Sequence, residues 1–229
     1  MTTAEFDVTD RTTATRHRDR VGYDRDAAYA ILDEALICHV GFAVDGAPVV
    51  LPQLHARVGD ALYLHGSSGA RFMRRAGEQD EPSGLDVCVT VTLVDGLVLA
   101  RSAFNHSVNY RSVVIHGQAR PVTDTAEKER ALAHLVDAIV PGRSAHVRGA
   151  SRKELAATGV LRLELAEVSV KVRAGAPGEE PEDLDLPYWA GVIPLSAIAG
   201  EPIAAPYQAP GSEVPAHVRD WQRPTVSRR

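Results

Sequence analysis

The chain has 229 residues, 45% of them apolar and 24% charged, with 25 Lys and Arg against 30 Asp and Glu. That apolar share supports a real core and excludes wholesale disorder, and the length fits one domain with extensions at about 150 residues per domain. The net charge of −5 and an aromatic content of 5%, with no basic–aromatic platform, argue against a broad surface for nucleic acid or acidic lipid.

Residues 1–22 are polar and show no apolar period, which predicts a flexible N-terminal arm, or one that orders against a partner. From Asp24 a helix is expected: Asp24 is a capping residue, and Ala27, Ala28, Ile31, Leu32, Ala35 and Leu36 recur on one face. Asp45-Gly46, Gly59-Asp60 and Asp95-Gly96 then punctuate segments rich in Val, Leu and Ile. Asp-Gly favours a type I′ turn and Gly-Asp a type II′ turn. The spacing therefore predicts three hairpins: Cys38–Val44 with Ala47–Arg57, Ala47–Arg57 with Ala61–His65, and Leu85–Val94 with Leu97–Arg101. Tyr110–Arg120 and Val160–Arg173 are further strand candidates, and hairpins at this density predict an antiparallel sheet closed into a barrel.

Two helices are expected among the strands, at Gly69–Ala76 and Asp124–Val140, with a shorter one after Ser151. Asp124 and Glu127 have capping-box spacing, and Ala131, Leu132, Leu135, Val136 and Ile139 form an apolar stripe. Beyond Arg173 the chain turns acidic, then rich in proline, around one apolar piece at 188–195 that reads as a docking segment for the body or a second subunit. The expected organisation is an arm at 1–22, a domain at 23–174 and an extension at 175–229. Cys38 and Cys88 sit in apolar stretches and read as reduced core residues of a cytoplasmic protein; no secretory h-region and no membrane-length apolar run is seen.

For chemistry, the most informative stretch is His65-Gly66-Ser67-Ser68-Gly69-Ala70-Arg71. A strand runs into a small-residue turn, and a helix then opens with an arginine. Free backbone N–H groups, two hydroxyls and a guanidinium fork suit a phosphate. The plain alternative is that Ser67 or Ser68 caps the helix and Arg71 is solvated. In Tyr110-Arg111-Ser112, alternation sends Arg111 and Ser112 to opposite faces, and the residues alone read as a core tyrosine and a rim charge. Histidines are scattered without metal-ligand spacing, Cys-x-x-Cys is absent, and so are Gly-x-Ser-x-Gly and the Gly-rich nucleotide turns. Metal, hydrolase and kinase readings have no support.

Taken in order, Pro48–Pro52, Gly59–Ser67, Asn109–Val113 and Trp189–Leu195 resemble the FMN-binding split-barrel proteins related to pyridoxamine 5′-phosphate oxidase, in the branch that includes the nitroimidazole-resistance reductases. The resemblance spans about residues 20–200 and implies a mainly β (α+β) fold: a six-stranded antiparallel split barrel with flanking helices, working as a homodimer with flavin at the interface. It assigns His65, Gly66, Ser67, Ser68 and Arg71 to the FMN phosphate, and Leu51, Pro52 and Gln53 to the isoalloxazine ring. Tyr110, Arg111 and Ser112 would approach the same cofactor, from the other subunit, and Trp189 would cover the substrate cleft. The implied activity is oxidoreduction of a small flat substrate through flavin N5, with His65 as a candidate proton donor. The alternative is a non-catalytic binder of flavin, deazaflavin or haem. The ending Arg223–Arg229 lacks the Arg-x-His element that grips the substrate phosphate in true pyridoxamine phosphate oxidases, so vitamin B6 oxidation is not expected.

Overall fold

In the computed structural model, residues 4–77, 84–209 and 211–222 are described; the ending at 223–229 lies outside them. Strands β2 (Ile37–Val44), β3 (Ala47–Val58), β4 (Ala61–Ser67), β5 (Leu85–Leu99), β6 (Ser107–Pro121) and β7 (Thr158–Glu164) are all antiparallel. They close a ring in the order β2-β3-β4-β7-β6-β5, and β5 returns to β2. The ring is split along β6, where Tyr110–His116 pair with β8 (Glu167–Arg173) while Ala119–Pro121 pair with β7. Two outer strands complete the sheet: β1 (Val21–Gly22) on β8, and β9 (Gly191–Pro194) on β5.

Local chemistry explains most of these elements. Asp45 and Gly46 both have positive φ, 50° and 80°, as a type I′ turn requires, and Gly59 has φ 58°. Alternate residues Cys38, Val40, Phe42 and Val44 of β2 are buried. In β4 all of Ala61–Leu64 are buried, because both faces are covered. Leu62 and Leu64 join the main core, whereas Ala61 and Tyr63 pack under α3 (Thr125–Ile139) with Ala131 and Leu132.

Asp24 caps α1 (Arg25–Glu34) by accepting from Ala27 N at 2.7 Å. Asp124 caps α3 in the same way through Glu127 N, also at 2.7 Å. The Glu127 carboxylate instead accepts from Tyr63 Oη at 2.8 Å and Arg162 Nη1 at 3.2 Å, tying α3 to the barrel wall. A reciprocal capping box forms at Ser151 and Glu154, opening α4 (Arg152–Ala157). Helix α2 (Arg71–Gly77) lies close on β4 and β7: Gly66 pairs with Gly159, and a Cβ at Gly159 would stand 2.9 Å from Met73 Sδ. The two glycines make the hollow that Met73 fills.

Three expectations are corrected. Asp95-Gly96 is not a hairpin turn: β5 runs straight through it, with a register shift between Val94 and Gly96. A Cβ on Gly96 would lie 3.0 Å from the Ile193 carbonyl oxygen, and Leu195 N donates to Asp95 O at 3.0 Å, so the pair is a bulge that admits β9. The single strand candidate Val160–Arg173 is two strands, β7 and β8, joined at Leu165-Ala166. The described part of the arm, from residue 4, is not free. Phe6 is buried, packs edge-on against Tyr29 and lies under the Arg25 guanidinium, while Arg11 pairs with Glu167. One aromatic side chain anchors a segment whose polar composition hid it.

In the extension, Glu179 accepts from Arg101 N at 3.2 Å, and a short helix α5 (Ala216–Arg219) stacks the His217 ring on His146 with centroids 4.2 Å apart. No helix among the described residues is long and apolar enough to cross a membrane.

Candidate functional site

Strand β3 presents Val49, Leu51 and Gln53 on one face by alternation. Opposite them stand Gly66 at the end of β4 and the first turn of α2, with Phe42 of β2 behind. Together these line a mostly apolar cavity of about 270 Å³, and Arg71 forms its rim. Arg71 also belongs to an adjoining polar hollow of about 380 Å³ with Arg74, Arg75 and Asp45. Arg75 is paired with Asp45 at 2.6 Å. Neither the Arg71 nor the Arg74 guanidinium has a hydrogen-bond partner among the described residues, and both residues are exposed. An apolar slot thus opens on a cluster of cations, two of them uncommitted. That arrangement suits a ligand with a flat apolar part and an anionic tail.

The turn before α2 is organised by Ser67, whose carbonyl accepts from Ala70 N at 2.9 Å and whose Oγ accepts from Gly69 N at 3.4 Å. Ser68 N donates to Ala157 O at 2.9 Å. Both serine side chains face solvent beside Arg71.

The structure therefore brings together Leu51, Gln53, Gly66 and Arg71, with Ser67 and Ser68 at the turn. It does not bring Pro52 or His65 to that cavity. Pro52 projects from the face of β3 opposite Leu51 and Gln53, and His65 projects from the face of β4 opposite Gly66. His65 lines a separate, larger cavity under α3, with Leu54, Leu132 and Val136. Burial lowers the pKa of its ring below the ordinary histidine value.

Arg111 is neither a rim charge nor free for a phosphate. Its guanidinium donates to both carboxylate oxygens of Glu34, at 2.6 and 3.0 Å, and to both of Asp95, at 2.9 and 2.8 Å. A half-buried carboxylate, Asp95, and a buried one, Glu34, hold its pKa above even the usual arginine value. Ser112 Oγ donates to Lys171 O at 3.3 Å, and Tyr110 is half-buried. None of the three lines the cavity within one chain. Trp189 is 66% exposed and lies over the backbone of its own Gly191 instead of the cavity.

Sequence reasoning missed Val49, Phe42, Arg74 and Arg75. Val49 stands two residues before Leu51, and Arg74 and Arg75 follow Arg71 at helical i+3 and i+4 spacing, so alternation and helix period both carried the signal. No group of three or more metal-ligating side chains occurs among the described residues.

The flavocytochrome Anf3 from Azotobacter vinelandii has a similar structure: 39% identity, 93% of this chain and 97% of that chain covered, TM-score 0.86. The FAD and haem binding protein from Mycobacterium smegmatis is 37% identical over 88% of this chain and 96% of its own, with TM-score 0.82. A protein from Bacteroides thetaiotaomicron assigned to 5-nitroimidazole antibiotic resistance shares the fold, at 22% identity, 66% and 86% coverage and TM-score 0.55. No curated protein matches the chain. The pyridoxamine 5′-phosphate oxidase family model matches residues 24–172, the span that contains the whole ring of strands, and the chain belongs to that family.

Proposed function

We propose that the protein is a flavin-binding redox protein that also takes a haem, with the flavin held between β3, β4 and α2. The observation that carries this reading is the apolar cavity of Leu51, Gln53 and Gly66 opening on Arg71, Arg74 and Arg75. Leu51 and Val49 would pack on the ring, Gln53 would offer its amide to the ring edge, and the serines and arginines would hold the phosphate end. Two uncommitted guanidinium groups side by side, Arg71 and Arg74, suit a pyrophosphate better than a single phosphate, which favours FAD over FMN and agrees with the FAD and haem named for the mycobacterial relative. A bound flavin supplies hydride transfer, and the chain supplies position, electrostatics and exclusion of water.

A homodimer completes the site in this reading. Val50, Trp189, Ile198, Ile203 and Tyr207 are apolar and more than half exposed, and a second copy would cover such a surface. Tyr110 and Ser112 would then reach the flavin from across the interface. Arg111 would steady that strand through Glu34 and Asp95 instead of touching the cofactor. The substrate class is a small, flat, reducible molecule that stacks on the ring.

Purified protein supplied with FAD is expected to become yellow with one flavin per chain and to bleach under dithionite. A protein that takes up neither FAD nor FMN contradicts the reading. A second reading, a carrier without turnover, is favoured by the binding-protein character of the mycobacterial relative. Steady-state assays with NAD(P)H and quinone or nitroaromatic acceptors separate the two, since tight flavin binding without turnover supports the carrier.

A further inference from the structure

A cavity larger than those beside α2, with a volume of about 720 Å³, lies between the outer face of β4 and α3, within the roughly 300–1,000 Å³ range of small-molecule sites. Leu54, Leu132, Leu135, Val136 and Ile139 make its walls apolar, and His65 stands in the wall.

Neither ring nitrogen of His65 has a hydrogen-bond partner among the described residues, and Nδ1 is buried outright. Buried polar groups are normally satisfied, so an imidazole left this way beside an open cavity calls for a ligand. His55 provides the contrast. It is 2% exposed and its Nδ1 is likewise buried without a partner, but its Nε2 donates to Leu32 O at 3.0 Å and it lines none of the cavities described above. That histidine is structural.

A neutral imidazole in an apolar wall, beside space for a large flat molecule, is the donor that haem iron accepts as an axial ligand. The rim adds a cation: Arg148 lies at the mouth, where it is paired with Glu154 at 2.7 Å, and a haem propionate would compete for that guanidinium. Glu129 and Glu154 are the carboxylates on the rim, which leaves the apolar interior uncharged.

We propose that this cavity binds a haem, with a ring nitrogen of His65 as an axial ligand to the iron and Arg148 as the partner of a propionate. The inference rests on the reading of the chain as a haem-binding as well as flavin-binding protein, and it assigns the haem a place and a ligand. Because His65 and Gly66 project to opposite faces of β4, the two cofactors would stand back to back across a single strand.

The test is titration of the full-length protein with hemin in the presence of FAD. Wild type is expected to bind one hemin per chain with the sharpened, red-shifted Soret band of histidine ligation. His65→Ala should weaken hemin at least tenfold and lose that spectrum, and added imidazole should restore it. Val136→Trp, which fills the cavity and keeps His65, should also block uptake. FAD uptake by both variants would report that they fold. The proposal is overturned if wild type takes up no hemin, or if His65→Ala binds it with unchanged affinity and spectrum. His65-dependent hemin binding with no FAD uptake by wild type would support the haem site and sink the flavin reading alone.

Discussion

At the scale of single residues, the chain separates cations that are spent from cations that are free. Arg111, Arg75 and Arg148 are each held by carboxylates, whereas Arg71 and Arg74 face the cavity without partners. If Arg71 binds the anionic end of the flavin, Arg71→Ala should weaken FAD binding by roughly ten- to a hundredfold, the worth of a hydrogen bond to a charged group. Fluorescence titration measures this, and unchanged affinity would make Arg71 a plain surface charge. His55 carries a different expectation. Burial lowers its pKa, the Leu32 carbonyl only partly opposing that shift. The unfolded chain therefore takes up the proton first as pH falls below the ordinary value of 6.5, and stability must decline on acidification from there. Replacing His55 with Gln, which keeps a donor for Leu32, should flatten the fall in melting temperature between about pH 7.5 and 5.5. An unchanged slope would mean that other groups set it.

At the scale of elements, the bulge in β5 and the start of β6 act as one unit. The bulge turns Asp95 toward Arg111, which also grips Glu34 at the end of α1. The Glu34 side chain is 8% exposed and that of Asp95 18%. Removing the arginine would leave two carboxylates facing each other with little water. Arg111→Ala should cost about 3–5 kcal/mol in urea denaturation, as for other buried pairs deprived of one partner. Arg111→Lys should recover little of it, since one ammonium cannot serve two carboxylates in the plane of a guanidinium. A loss below about 1 kcal/mol would place the cluster with ordinary surface pairs. The same unit marks the limit of what the sequence reveals about elements. Asp45-Gly46 and Asp95-Gly96 are the same dipeptide in similar surroundings, yet one turns the chain and the other passes a strand edge to β9. The difference lies in residues 191–195, which are distant in sequence.

At the scale of the molecule, the ring of strands was legible because each local signal agreed with the next: hairpin turns, alternation, capped helices and a phosphate-like turn all point to one barrel. The site was legible in part. Leu51, Gln53, Gly66 and Arg71 do share a cavity, but treating His65-Gly66 as one motif ignored that neighbours in a strand face opposite ways. Phe6 and the cavity under α3 were hidden because both depend on contacts across the tertiary fold, which periodicity does not report. Tyr110, Ser112 and Trp189 gain a role in the proposed site through a second subunit.

The central claim is that the flavin lies between β3, β4 and α2 with its phosphates at Arg71 and Arg74. A crystal structure of the protein with FAD tests it most directly. The account expects the isoalloxazine ring against Leu51 and Gln53 and the pyrophosphate oxygens within hydrogen-bond distance of those two guanidinium groups. A flavin seated elsewhere, with Arg71 and Arg74 still in solvent, would contradict it.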